Sequence, residues 1–332
     1  MNFFKFLGSR LLTFFMVVFI GVTTVFFVPR FMPTSPVEAM IGKLTSRAST
    51  MDPVAVMTLR ESLNESFGLN GSLSSQYFGF LKRVLITRDF GPSLTAYPTP
   101  VIEMIGRALP WTFGLLLTST LIAWFFGNLI GLIAGFRRKT VYSKILESIA
   151  IVFYPIPYYI FALALIMLFC FVFPVFPLTF TIVGSPATLA YWQNILRNAF
   201  LPGLSIILTG FGWWVISMKT ISTGISEEDY VFFARLKGLS ETKVMINYVL
   251  PNATLPQITF LALQMGTIFN GALITEMLFG YPGVGSLIYY GILQADYNLI
   301  MGTISISIIA VATATLTVDL LYPFFDPRIR YK

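Results

Sequence analysis

The sequence contains no histidine, a single cysteine and few charged residues. Without histidine, imidazole acid–base catalysis and histidine-ligated metal centres are excluded. With Cys170 alone, intramolecular disulfides and Cys-rich metal sites are excluded as well, and a small apolar packing role in the third apolar run remains for it. No Gly-rich phosphate loop of the form G-x-x-x-x-G-K-S/T occurs, so ATP hydrolysis by this chain is not expected. The apolar runs also contain no lysine, which removes the Ser–Lys route to a membrane-embedded hydrolase. Charged residues make up only 11% of the 332, too few to solvate an ordinary soluble domain.

Apolar sequence dominates instead, with 56% hydrophobic residues and a mean hydropathy of +0.77. Six stretches are long and uncharged: 11–29, 109–136, 148–196, 198–218, 252–275 and 297–318. A spanning helix needs about 20 apolar residues to cross roughly 30 Å of hydrocarbon. The third stretch is long enough for two helices, but Pro174, Pro177, Gly184 and Pro186 break its second half, so one helix over about 148–173 and a following loop are expected. The expectation is an all-α polytopic membrane protein with six transmembrane helices. Its first run exceeds the length of a signal-peptide core, and FFVPRFMPTSP offers no small-residue cleavage site, so it reads as a retained anchor.

Basic residues set the orientation. With the N-terminus inside, the inner segments hold Lys5, Arg10, the Arg137-Arg138-Lys139 cluster, Lys144, Lys219, Arg235, Lys237, Lys243 and the C-terminal basic residues. The two short outer loops then hold only Arg197, and both termini are cytoplasmic. Topology thus accounts for most of the net charge of +7, with no need for a nucleic-acid partner. The chain divides into an N-terminal end and first span (1–30), an extracytoplasmic segment (31–107), a core of five further spans (108–325) and a cytoplasmic tail (326–332).

The segment 31–107 has too few apolar residues for an independent domain and is expected to form a small cap. DPVAVMTLRESLNESFGL predicts a helix with Asp52 as N-cap, Pro53 in the first turn and Gly68 at the stop. SSQYFGFLKRVLI predicts a second helix, ending before the turn chemistry of RDFGPS. Asn64-Glu-Ser and Asn70-Gly-Ser have the form of glycosylation acceptors, a pattern also common by chance.

Within the spans, Gly127, Gly131 and Gly135 form a small-xxx-small ladder that would let a neighbouring helix approach closely, although glycine is frequent in membrane helices in any case. Pro155 and Pro157 in FYPIPYYIF must kink or unwind the third helix. In the fifth span Gln264, Thr267, Gly271 and Thr275 fall within about 80° of one another at 100° per residue, with Glu276 at the end of the row. Either a pathway-lining face or ordinary interhelical hydrogen bonding accounts for such a stripe.

One polar segment interrupts the apolar chain, in a cytoplasmic loop over 219–253. Ser226-Glu-Glu-Asp229 reads as a capping-box-like start, and Ala234, Arg235 and Lys237 lie in the helix that follows. Gly238 is a left-handed stop, followed by Leu239. Ser240 caps a second short helix with Glu241 in its first turn, and Pro251, after Leu250, closes the segment. Val244, Met245 and Ile246 read as exposed and suited to a partner's groove. A plain solvated loop is the alternative. A helix-turn-helix DNA reader has the same outline but could not enter a major groove while clamped between two spans.

This segment resembles the EAA loop of binding-protein-dependent ABC importer permeases: Glu-Ala-Ala, three residues, Gly, nine residues, Ile-x-Leu-Pro. Ala234, Gly238, Leu250 and Pro251 match in register, whereas Phe232, Phe233 and Tyr248 depart from it. The form from Asp229-Tyr-Val to Glu241 is similar to the peptide and nickel branch. PVEAMIG, FGLNGSLSSQYFGFL, RDFGPSL, RALPWTFGLLLTSTLIAWFFGNLIGLIAGFRR, EMLFGYPGVG and DLLYPFFDPRIR resemble, in the right order, pieces of the dipeptide/oligopeptide permease subunit that usually comes first in its operon.

The resemblance implies a type I ABC importer fold and a role as one of two non-identical permease subunits. It implies as partners a second permease, two ATPase subunits that bind ATP and magnesium, an extracytoplasmic solute-binding protein and the lipid bilayer of a bacterial or archaeal cell membrane. This chain would bind no cofactor or metal itself. Transport would proceed by alternating access, with the segment 226–251 transmitting ATP-driven closure. Peptides are the favoured substrates, then oligosaccharides, then nickel. A secondary transporter is the alternative of a different class, but it would be expected to carry inverted repeats or intramembrane charges.

Overall fold

The computed structural model describes residues 3–31, 37–38, 41–42, 52–268 and 272–325. Among the described residues no β-strand forms, and only Pro92 and Pro100 pair as a single antiparallel bridge. Helix α1 (Phe3–Phe27) is followed by α2 (Pro53–Ser66) and α3 (Leu73–Lys82), the last extended by a widened π turn over Arg83–Thr87. Next come α4 (Val101–Phe136), α5 (Val141–Phe153) and α6 (Tyr158–Ile166). Helix α7 (Leu189–Ser226) precedes the short α8 (Asp229–Leu236) and α9 (Glu241–Val244). Finally come α10 (Leu250–Thr267), α11 (Leu273–Leu278), α12 (Val284–Leu293) and α13 (Tyr297–Phe325).

Among the described residues, four helices are long and apolar enough to cross a membrane: α1, α4, α7 and α13. A fifth span results if α5 and α6, with the turn Met167–Val172, are counted as one broken helix bent by 92°. The break lies over Tyr154–Pro157, where Pro155 and Pro157 remove two backbone donors. The break expected from Pro155 and Pro157 is present, while the expected start near 148 is corrected: the helix begins earlier, at Val141. The expected run 252–275 is likewise two pieces, with α10 ending at Thr267 and α11 starting at Leu273.

Helices α4 and α7 form the centre of the bundle. Ser119, Ala123, Gly127, Gly131 and Gly135 recur every fourth residue and are all buried on one face of α4. Along that row Ser119 meets Gly203, Ala123 meets Gly210, Gly127 meets Trp214, Gly131 meets Met218 and Gly135 meets Ser222, so the two helices run parallel. A Cβ at Gly131 would fall 2.5 Å from the Val215 carbonyl, and one at Gly135 would fall 2.5 Å from the Lys219 carbonyl. Only backbone-to-backbone approach fits there. In a membrane, where apolar burial drives association weakly, such close contact is the main source of helix cohesion.

Helix α1 packs antiparallel against α13, with Gly21 beside Ile308 and an Arg10–Asp319 ion pair of 3.1 Å at one end. Asp52 caps α2 through a 3.0 Å bond from the Val54 amide, with Pro53 in the first turn. The chain leaves α2 through Gly68 at φ +64°. Val37, Ile41, Leu63, Phe67 and Leu94 make a small separate core around α2.

Candidate functional site

The polar segment between α7 and α10 forms a compact structure at one end of the bundle. Ser226 is the last residue of α7, and its hydroxyl donates to the Ser222 carbonyl at 2.6 Å. The expected capping box is thus corrected: Glu228 occupies the N-cap of α8 without a side-chain capping bond. The reason is that α7 overruns its expected end and consumes Ser226. Glu227 instead pairs with Arg138 of the α4–α5 turn at 2.6 Å.

Helix α8 ends in a Schellman turn. The Leu239 amide bonds to the Ala234 carbonyl at 3.4 Å, the Gly238 amide bonds to Arg235 at 2.9 Å, and Gly238 has φ +73°. Arg235 reaches Glu241 at 3.2 Å and its guanidinium lies 5.4 Å from the Phe136 ring centre, which ties α8 to α9 and to α4. Ser240 stands at the N-cap of α9, its carbonyl accepting the Val244 amide at 3.0 Å, but its side chain makes no capping bond. From Glu241 the helix runs through a π turn, Met245–Val249, straight into α10. Pro251, in the first turn of α10, does not end a helix: its missing donor and bulky ring fall where the widened turn has already relaxed the i→i−4 ladder.

Val231, Ala234, Val244, Val249 and Ala253 pack with Leu132 and Met218 into a buried cluster. Val244 is fully buried, which corrects its expected exposure; Met245 is partly buried, and only Ile246 of that trio faces outward. The helical period explains the exchange, because Val231 and Ala234 share one face of α8 and require a partner on α9. On the outward side stand Tyr230, Phe232, Phe233 and Leu236 of α8, all exposed, with Lys237, Gly238, Ser240, Glu241 and Ile246 beside them. Leu239 and Leu250 lie half-buried at the edge of the cluster, and Pro251 is exposed. A cavity of about 510 Å³ adjoins this face, lined by Arg137, Arg138, Lys139, Glu227, Asp229 and Arg235.

The polar stripe of the fifth span is divided. Gln264 is exposed on α10, Gly271 lies outside the described residues, and Thr275 is buried in α11. Thr267 is the last residue of α10. The 100° extrapolation assumed a continuous helix, and the break between Thr267 and Leu273 resets the phase.

Glu276 is fully buried. Its Oε1 accepts the Thr112 hydroxyl at 2.7 Å and, more weakly, the Ala272 amide at 3.5 Å; its Oε2 accepts the Ser286 amide at 3.0 Å. Thr112 in turn accepts the Val284 amide at 2.8 Å. The carboxylate therefore sits at the start of α12, where free backbone donors and the helix dipole favour negative charge. Gly283 and Gly285 leave room for it: a Cβ at Gly283 would fall 2.2 Å from the carboxyl carbon, and one at Gly285 2.9 Å from Oε2. The glycines of EMLFGYPGVG thus cradle its own first residue. Glu276 thus links α11, α12 and α4 through these bonds. Trp111, Phe180 and Tyr281 stack edge-on beside it, Phe180 at 5.2 Å from Trp111 and 4.8 Å from Tyr281.

Reading the sequence missed Thr112 and Asp296. Asp296 is fully buried and accepts the Ser93 hydroxyl at 2.6 Å, the Thr95 amide at 3.0 Å and the Leu299 amide at 3.1 Å. Asp followed by Tyr-Asn-Leu at the head of an apolar run is a readable N-cap signal; its partners 200 residues away are not. Among the described residues no group of three His, Cys, Asp or Glu could hold a metal ion.

The family model described as binding-protein-dependent transport system inner membrane component matches residues 127–331. The oligopeptide transport system permease protein AppB of Bacillus subtilis is 32% identical over 287 residues, 85% of this chain and 88% of that protein. The di/tripeptide transport system permease protein DppB of Pseudomonas aeruginosa is 30% identical over 338 residues, 95% of each chain. The glutathione transport system permease protein GsiC of Escherichia coli is 29% identical over 324 residues, 98% of each.

Proposed function

Because this chain belongs to the binding-protein-dependent transport system inner membrane component family, we propose that it is a permease subunit of an ATP-driven peptide importer. It forms the translocation pathway with a second permease and spans the cell membrane six times, with both termini cytoplasmic. Two ATPase subunits carry ATP and magnesium, and an external binding protein delivers solute. This chain supplies no catalytic group.

One observation carries the reading. The segment from α7 to α10 presents exposed Phe232, Phe233 and Leu236 on a helix whose opposite face, Val231 and Ala234, is locked into the bundle. An exposed apolar face on a rigid base suits a docking partner, and a push on it reaches α4 through Leu132 and α7 through Met218. That partner is the ATPase pair. Of the candidate pathway residues we retain Gln264, which α10 holds at the surface.

The relatives named above bear oligopeptide, di/tripeptide and glutathione transport in their names, which favours peptides over oligosaccharides or nickel. The test is uptake into vesicles bearing the assembled transporter with its binding protein. Labelled dipeptide or tripeptide should accumulate only with ATP, and unlabelled peptide should compete where an oligosaccharide does not. Competition by oligosaccharide alone would reassign the substrate, and ATP-independent accumulation would favour a secondary transporter.

A further inference from the structure

Helix α3 lies where the importer role does not require it. As it proceeds, its contacts move along α1 from the end towards the middle. Gln76 accepts Arg30 at 3.3 Å, Tyr77 shares a 2.7 Å hydrogen bond with Thr23, and the Phe80 ring lies 5.5 Å from Phe26. Val84 then joins the cluster holding Val22 and Val18. An apolar cavity of about 650 Å³ separates Phe15, Phe19 and Val22 of α1 from Leu81, Val84 and Leu85.

Helix α1 is one of those able to cross a membrane. At about 1.5 Å per residue, Val18 lies about 14 Å from Phe27 along its axis, close to half of a roughly 30 Å hydrocarbon layer. Anything packed sideways against that part of α1 is at membrane depth. On the outward face of α3, Phe78, Leu85 and Ile86 are 67%, 53% and 72% exposed, and Leu85 shares a cavity wall with Phe15, Met16 and Phe19 of α1. Lys82, exposed between Phe78 and Ile86 and near the end of α1, has a stem long enough to carry its ammonium to the headgroups. In water such a face would be an adhesive patch, whereas in hydrocarbon it is ordinary.

Backbone chemistry gives an independent criterion. Non-helical backbone is tolerated at membrane depth only when protein satisfies it. After α3 the chain reverses at Arg88 (φ 53°) and Gly91 (φ 78°), with the Asp89 carboxylate accepting the Gly91 amide at 2.9 Å. The return path is then held by α13. Asn298 donates to the Pro92 carbonyl at 3.0 Å, Phe90 lies against Gly302, and Asp296 accepts from Ser93 and Thr95. Phe90, Ser93 and Leu94 of the returning segment are buried against the protein, whereas the turn over 87–89 is exposed.

We propose that residues 73–95 form a re-entrant hairpin in the membrane leaflet at the C-terminal end of α1. Lipid acyl chains cover Phe78, Leu85 and Ile86 and fill the cavity between α1 and α3. Arg88, the one charged residue on the cavity wall, lies beside Asp89 at the exposed tip of the hairpin, and Arg83 has the Asp89 carboxylate nearby. These residues accordingly leave the extracytoplasmic cap, which reduces to α2 and its small core.

The experiment uses the assembled transporter in phosphatidylcholine vesicles, in a Cys170→Ser background. Single cysteines replace Ile86, Phe78 or Leu85, and Glu61→Cys on the exposed face of α2 serves as the aqueous control. Ile86→Cys carrying a small fluorophore should lose its emission when the lipids bear bromine on their acyl chains. Unlabelled, it should stay unmodified by a membrane-impermeant thiol reagent over a time that modifies Glu61→Cys fully. Rapid modification by the impermeant reagent would overturn the proposal, and so would protection from both reagent and brominated lipid, which would place another subunit there. Should Ile86→Cys fail to assemble, Phe78→Cys and Leu85→Cys carry the same two readouts. Uptake by the same vesicles is read separately, so failure of the hairpin does not count against the transport role.

Discussion

Thr112 donates its hydroxyl to Glu276 at 2.7 Å while accepting the Val284 amide at 2.8 Å. One side chain on α4 thus serves both sides of the α11–α12 turn. Thr112→Val keeps the shape but leaves a buried amide unpaired and the carboxylate short of a donor, which should cost about 1–3 kcal/mol. Thr112→Ser should restore most of that. Glu276→Ala should be worse than Glu276→Gln, because glutamine retains an acceptor oxygen. Apparent thermal midpoints of the purified assembly would rank the variants. Equal midpoints for valine and serine would show that the hydroxyl does not hold the turn.

Glycine substitutions on α4 should separate by face. Gly131→Leu drives a side chain into the Val215 carbonyl and Met218, whereas a Cβ at Gly114 meets nothing within 4 Å. The first should abolish accumulation of folded protein. Gly114→Ala should be neutral or stabilising by up to about 1 kcal/mol from helix propensity. Membrane-fraction yield and size-exclusion profile would decide, and normal yield of Gly131→Leu would mean the parallel α4–α7 contact is not formed.

Much of this was legible where the signal is local. The ladder of small residues, the Asp52-Pro53 start of α2 and the left-handed Gly238 each follow from backbone constraints acting within a few residues. What was illegible depends on phase or on distant partners. The Gln264-to-Thr275 stripe presumed an unbroken helix, and the break between Thr267 and Leu273 separates its members onto an exposed and a buried surface. Val244 seemed free because nothing near it in sequence indicates Leu132 and Met218 as neighbours. Glu276 reads from the sequence as a charge at the end of a span and Asp296 gives no signal of its distant partners; only the folded chain brings Thr112 and Ser93 to them.

The outward face of α8 should be required for assembly but not for insertion. Leu236→Asp places a charge in the centre of the exposed apolar face formed with Phe232 and Phe233. Removing a central apolar anchor typically costs an interface about 2 kcal/mol or more. The variant should reach the membrane at wild-type level yet lose co-purifying ATPase subunits and peptide uptake together. Retention of both would remove this face from the docking surface.

Gly238 offers a test in which sterics and backbone strain separate. Its φ is +73°, and a Cβ there would meet nothing within 4 Å, so any penalty of substitution arises from the backbone alone. A β-branched residue pays most in this region, and asparagine much less. Gly238→Val should therefore straighten the Schellman turn, shift α9 relative to α8 and uncouple ATP hydrolysis from uptake while insertion persists. Gly238→Asn should retain most of the coupling. The ratio of peptide transported to ATP hydrolysed, measured in vesicles, isolates this effect from simple loss of protein. If valine and asparagine lower that ratio equally, the turn's left-handed geometry is not what transmits the push.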